Sequence, residues 1–151
     1  MGLFDAYEFA ALIVRMLGIH DLNVTDGFVD VSRNDWFFSV ANSARQHGLM
    51  TGTGDNTFSP GMNMPNEQLI ALGARILRTE ARFRDPANPM QYLQVAFVDA
   101  NQLSSWSIND IALATREGII THRVDGRFAP HQIITRGEAA LVLYRVYRRI
   151  W

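Results

Sequence analysis

Apolar residues recur at helical spacing near both ends of the chain. Phe9, Leu12, Ile13, Met16 and Leu17 form one stripe; Val142, Leu143, Val146, Tyr147 and Ile150 form another. Each follows a start signal. Thr135-Arg136-Gly137-Glu138 has the form of a capping box, in which the Thr hydroxyl and the Glu carboxylate satisfy backbone donors reciprocally, and Asp5-Ala6-Tyr7-Glu8 is the same device. A related block, Gln68-Leu69-Ile70-Ala71-Leu72, follows Pro65-Asn66-Glu67. Pro65 suits a first helical position, but no hydroxyl caps this helix, so its start is expected to be weaker by about 1 kcal/mol. Two further helices are expected over 36–47 and 106–117, each ending at a glycine, Gly48 or Gly118, where a left-handed residue closes a helix. Beyond them lie short apolar runs, the tight turns Gly52-Thr53-Gly54-Asp55-Asn56 and Val124-Asp125-Gly126, the core candidates Phe58 and Phe128, and Pro60 and Pro130, which delay the next helix.

These elements repeat with a period of about 70 residues. Phe28-Val29-Asp30 recurs as Phe97-Val98-Asp99, Trp36 as Trp106, Ala44 as Ala114, Gly48 as Gly118, Thr51 as Thr121, Asp55 as Asp125, Phe58 as Phe128 and Pro60 as Pro130. From Trp to Pro the spacing is identical. The following helix also recurs: Gln68 aligns with Glu138, Arg75 with Arg145 and Arg78 with Arg148, and the same block stands at the amino terminus with Glu8, Leu12 and Arg15. The chain therefore reads as the second half of a first repeat (1–20), a second repeat (28–82), a linker with Pro86 and Pro89 (83–96) and a third repeat (97–151), forming one compact domain. One repeat is too short to bury its own apolar faces, and stacking would bury them jointly. The three capped helices are expected to pack together, with the helices beginning at Trp36 and Trp106 outside them.

Composition narrows the function. The 151 residues are 48% hydrophobic and 19% charged, as in an ordinary globular protein, and the net charge of −1 offers no broad phosphate-binding face. All the cations are Arg. The absence of Cys excludes disulfides, thiolate metal sites and cysteine nucleophiles. No apolar run approaches a membrane span, and Met1 to His20 reads as an amphipathic helix, not a signal peptide.

The motifs resemble the S-layer homology (SLH) domain: an F-x-D start, a Trp and an alanine-containing helix, G-I-I-x-G, D-G-x-F-x-P, then T-R-A-E opening a second helix. The third repeat matches almost throughout, with Phe97-Val98-Asp99, Trp106, Gly118-Ile119-Ile120, Asp125-Gly126-Arg127-Phe128-Ala129-Pro130 and Thr135-Arg136-Gly137-Glu138. The second matches in its first part, with Phe28-Val29-Asp30, Trp36, Gly48-Leu49-Met50-Thr51-Gly52 and Asp55-Asn56-Thr57-Phe58-Ser59-Pro60. The resemblance implies an all-α assembly of repeated helix–loop–helix units around a central bundle of three helices with a pseudo-threefold arrangement. It also implies non-covalent attachment of exported proteins to the bacterial cell wall. The implied ligand is an acidic secondary cell-wall polysaccharide, often carrying ketal-linked pyruvate, held in grooves between units with the Arg of T-R-A-E as a main contact. Two departures stand out. The Arg position reads Ala6, Asn66 and Arg136, so one repeat keeps the guanidinium; and the front half of the first repeat is missing, which would leave one groove incomplete. His122 stands where the second repeat has Gly52 and would narrow a groove.

The candidate glycan-binding residues are Arg136, Trp36, Trp106, Gly52, Asp125 and Gly126. A cation at a helix start opposes the helix dipole, so helix stability alone does not ask for Arg136, whereas its fork suits a carboxylate ligand; a surface salt bridge to Asp125 is the alternative. Trp36 and Trp106 could stack on sugar rings, although burial as helix anchors is the commoner role of Trp. Asp30 and Asp99 are expected to cap turns before their helices, and Asp55 and Asp125 to shape tight turns. Neither turn supplies the oxygen ligands of a calcium loop, and His20, His47, His122 and His131 lack metal-ligand spacing. Glu138 and Asp125 are already explained as a cap and a turn former, not a glycosidase pair. The basic tail Tyr144 to Arg149 suits a helix C-terminus without nucleic acid or membrane. The chain thus reads as a non-catalytic, cell-surface carbohydrate-binding module with no cofactor, no metal, no nucleic-acid partner and no membrane insertion. A degenerate SLH-type structural or protein-interaction module without glycan binding is the alternative. No oligomeric state is specified.

Overall fold

The computed structural model describes residues 6–24, 27–47, 64–120 and 125–150, with the side chains of Ala6, Tyr7, Phe9 and Arg136 outside that description. Among the described residues the secondary structure is helical, with one isolated antiparallel bridge, Pro65 to Ile133. The chain divides into two compact units, Leu3–Met64 and Pro65–Trp151. This division is out of phase with the sequence repeat. It pairs the second helix of each repeat with the first helix of the next.

In the amino-terminal unit, α1 (Ala6–Leu17) packs on α2 (Phe38–Gln46). The contact is made of small residues: Ala10, Ala11 and Val14 are buried on α1, and Val40, Ala41, Ser43 and Ala44 on α2. Gly18 ends α1 with φ +68°, the left-handed backbone that glycine adopts without strain. Buried Asn42 ties the Phe28-Val29-Asp30 segment to α2. Its Oδ1 accepts from the Phe28 N–H at 3.0 Å while its Nδ2 donates to the Phe38 carbonyl at 2.9 Å.

In the carboxy-terminal unit, α3 (Asn66–Ala81) packs on α5 (Ile108–Arg116) and on α6 (Arg136–Ile150). The stretch read as a linker contains a helix, α4 (Pro89–Ala96), which packs on α5; Pro89 is placed where its missing N–H costs nothing. Two single 3-10 turns, Ala100–Gln102 and Ser105–Ser107, lead into α5. The core is Leu69, Ile70, Ile76, Leu77, Leu93, Ile111 and Leu113. At Gly73 a Cβ would stand 3.3 Å from Val146 Cγ2, so the glycine lets α3 and α6 approach closely.

Several helix ends follow the local signals. In the capping box of α6 the Glu138 N–H donates to Thr135 Oγ1 at 3.2 Å and the Thr135 N–H to Glu138 Oε1 at 3.3 Å. Gly118, φ +74°, closes α5. Gly48 and Asp5 lie outside the described residues. The start of α3 departs from expectation. No side chain caps it, yet it is not left open, because the Asn66 N–H donates to the Gln132 carbonyl at 2.8 Å and the Glu67 N–H to the Pro130 carbonyl at 3.0 Å. Backbone carbonyls from the third repeat thus take the place of the missing hydroxyl. The basic tail also has partners beyond its own helix: Arg145 donates to the Ile119 carbonyl and Arg149 to the Glu117 carbonyl, satisfying acceptors at the end of α5.

Candidate glycan-binding surface

In the third repeat, Phe97-Val98-Asp99 is the frame for the Asp125–Pro130 turn. The Asp99 carboxylate is buried and accepts from the Phe128 and Ala129 N–H groups, both at 2.8 Å. Asp99 therefore does not cap the turn ahead of its helix, as expected; it fastens a loop some thirty residues away, where the left-handed Ala129 (φ +58°) presents its N–H. Phe97 and Phe128 meet edge to face at 5.4 Å below it, and the Val98 N–H donates to the Gly126 carbonyl at 3.0 Å. Asp125 shapes the turn as expected, its Oδ1 accepting from the Arg127 N–H at 3.2 Å, with Gly126 at φ +78°. Asp125 is exposed, and neither its Oδ2 nor the Gly126 N–H has a partner among the described residues.

The other side of this turn is held by α3. Asn66 Nδ2 donates to the Phe128 carbonyl at 2.9 Å. The residue standing at the Arg position of the second repeat is thus committed to the backbone of the third.

Both tryptophans stand just ahead of their helices, not within them. Trp36 is 62% exposed and Trp106 50% exposed, so neither is an interior anchor. Trp36 meets the Phe37 ring edge-on at 5.6 Å. Trp106 rides on the 3-10 turn Ser105–Ser107, and that turn is fixed by a residue the sequence reading passed over. Glu67, on the first turn of α3 and 4% exposed, accepts from the Ser104 N–H at 2.6 Å, from Ser104 Oγ at 3.1 Å and from Ser107 Oγ at 2.6 Å. The available signal was the pairing of Ser104 and Ser107 around Trp106, which can close on one carboxylate.

Asp125, Gly126 and the frame of Val98 and Asp99 come together on one surface of the carboxy-terminal unit, and Trp106 stands in that unit on its own buttressed turn. Trp36 belongs to the amino-terminal unit. Arg136 is the first residue of α6, directly after the capping Thr135. Its side chain, Gly52 and His122 lie outside the described residues. At the turn itself Arg127 Nε stands 4.0 Å from Asp99 Oδ2, and a second cation network, on α3, is structural. Arg78 pairs with Asp110 at 2.5 Å and with Asp85 at 2.7 Å. Partial burial pulls its basicity down, but the hydrogen bonds to Asp110 and Asp85 outweigh that and raise its pKa above the ordinary arginine value.

Among the described residues, no group of three or more His, Asp or Glu side chains could hold a metal ion, and no helix is long and apolar enough to cross a membrane.

An all-helical repeat protein with exposed indoles beside buttressed turns is the class that this geometry defines. The S-layer homology domain model matches residues 27–64 and 96–140, and the chain belongs to that family. Its similar proteins include an amylopullulanase of Thermoanaerobacterium thermosulfurigenes, 29% identical over 137 residues, which cover 91% of this chain and 7% of the relative. An exoglucanase XynX of Acetivibrio thermocellus is 28% identical over 137 residues, 91% of this chain and 12% of the relative. An endoglucanase of Bacillus sp. (strain KSM-635) is 30% identical over 120 residues, 80% of this chain and 12% of the relative. The chain thus spans a small fraction of each.

Proposed function

We propose that this chain is a non-catalytic anchoring module that holds a protein at the bacterial cell surface by binding an acidic secondary cell-wall polysaccharide, with ketal-linked pyruvate as one candidate for the acidic group. The observation that carries the reading is the exposure of Trp36 and Trp106 at the same place in both repeats, where burial would be the default. Solvent-exposed indoles suit apolar sugar faces. Asp125 and the Gly126 N–H supply hydrogen-bonding groups for hydroxyls, Gly52 does the same in the second repeat, and Arg136 pairs with the acidic group. The enzyme names of the relatives fit a module of this kind, since the shared stretch is a small part of each.

The test is retention on purified sacculi before and after chemical removal of the non-peptidoglycan polymer. Binding should disappear with the polymer, and Arg136→Ala should weaken it at least about tenfold, the usual scale of one charge-assisted pair. Retention unchanged in a folded Arg136→Ala protein removes Arg136 from the mechanism. A second reading, an interaction module that no longer binds glycan, is favoured by Asn66, whose amide is spent on the Phe128 carbonyl. It predicts no sacculus binding by the wild type.

A further inference from the structure

Helix α4 (Pro89–Ala96) lies almost wholly outside the segments that match the family model, so a site on it belongs to this chain and not to the family pattern. Leu93 is buried and α4 packs on α5. Along α4 runs a surface groove of about 470 Å³, lined by Ala87, Asn88, Gln91, Tyr92, Val95 and Ala96. None of these residues is charged. Asn88 and Gln91 are three residues apart, which sets them one above the other at the start of the helix. Both are exposed, and neither carboxamide has a hydrogen-bond partner among the described residues. Asn88 occupies the N-cap of α4, where an Asn side chain ordinarily accepts from the first N–H groups of the helix. Its backbone is instead left-handed, with φ 52° and ψ 58°, and the side chain makes no cap hydrogen bond. The amide is spent neither on the helix nor on a neighbour.

We infer that this groove is a subsite for an uncharged sugar of the wall polysaccharide, next along the polymer from the sugar held at the Asp125–Gly126 turn. The inference rests on the anchoring function proposed above and adds a second contact to it. A carboxamide both donates and accepts, as a sugar hydroxyl does, so Asn88 and Gln91 match hydroxyls on one edge of a ring. Tyr92, 37% exposed, and Val95, 87% exposed, offer apolar surface to its C–H face. An apolar helix or an acyl chain laid here would desolvate both amides without pairing them, which is costly. An acidic sugar would meet no cation in the lining. The groove also leads directly to the turn. Ala96 is followed by Phe97 and Val98, and the Val98 N–H donates to the Gly126 carbonyl at 3.0 Å. A Cβ placed on Gly126 would stand 3.6 Å from Val98 Cγ1. Two residues of chain, roughly 7 Å at most, separate the end of the groove from the frame of the turn. One polymer laid over both meets hydroxyl partners at each.

The test measures binding of the full chain to purified sacculi at low and at high salt, before and after chemical removal of the non-peptidoglycan polymer. Tyr92→Ala should weaken binding about tenfold, and Gln91→Ala and Asn88→Gly each about fivefold, the scale of one stacking contact or one hydrogen bond. Asn88→Gly keeps the left-handed backbone while removing the amide. Tyr92→Trp should restore most of the binding, and Gln94→Ala, exposed on α4 but outside the groove, should leave it unchanged. Circular dichroism checks folding. Because the groove is uncharged, the loss in Tyr92→Ala should be the same at both salt concentrations, whereas the loss in Arg136→Ala should shrink as salt rises. Wild-type binding with Tyr92→Ala and Gln91→Ala unimpaired overturns this inference and leaves the anchoring function standing. A Tyr92→Ala loss that vanishes at high salt overturns it too, by showing that the contact involves charge. Binding to polymer-free sacculi that Tyr92→Ala abolishes assigns the groove to another wall component and likewise overturns it. Failure of the wild type to bind at all overturns the anchoring function and this inference together.

Discussion

Glu67→Ala is the substitution whose cost the structure defines most sharply. The carboxylate is buried and accepts three hydrogen bonds, from the Ser104 N–H and from both serine hydroxyls. A hydrogen bond to a charged group contributes about 1.5–3 kcal/mol, and three on one carboxylate do not add in full. Some of the loss is recovered, because the single Ser107 hydroxyl proton can turn to the Ser104 carbonyl, 2.9 Å away. The Ser104 N–H, by contrast, loses its acceptor, and a small void opens beside it. The net cost is about 3 kcal/mol, in the range for breaking a buried polar network. With a urea slope of about 2 kcal/mol/M, the midpoint should fall by about 1.5 M at unchanged slope. Glu67→Gln keeps one acceptor and the shape but turns a donor toward the serines, and should lose roughly half as much. Trp106 fluorescence should change in both variants, because its turn is what the carboxylate holds. A Glu67→Ala protein within about 0.5 kcal/mol of wild type, or a glutamine variant as damaged as the alanine one, refutes the reasoning.

Two other substitutions test the frame of each repeat. Asp99→Asn leaves an amide that can accept from one of the Phe128 and Ala129 N–H groups but not from both, and thermal unfolding should report a loss of about 2 kcal/mol. Gly27→Ala would place a Cβ 1.5 Å from Asn42 Oδ1, forcing Asn42 away from the Phe28 N–H. The expected cost is about 2–3 kcal/mol by chemical denaturation, and Gly27→Ala combined with Asn42→Ala should be less damaging than the sum of the two singles.

What could be read from the sequence was local or periodic. The capping box at Thr135–Glu138, the glycine stop at Gly118, the turn at Asp125–Gly126 and the helical stripes each depend on residues within one or two turns of one another. The repeat itself was visible because Trp, Gly, Asp, Phe and Pro recur at fixed offsets. The family, and with it the all-helical class, was legible for the same reason.

The tertiary structure decided whatever depends on distant partners. Glu67 looks like an ordinary first-turn acid until Ser104 and Ser107 arrive from 37 and 40 residues away. Asn66 looks like a lost arginine until its amide meets the Phe128 carbonyl 62 residues on. Asp99 looks like a turn cap until the third repeat folds back and its loop needs two acceptors. The exposure of Trp36 and Trp106 had no local signal, since indole is buried or open according to what packs over it. The out-of-phase pairing of helices belongs here too. Sequence fixes the order of repeats along the chain, but burial of apolar area, which is blind to that order, chooses which faces meet.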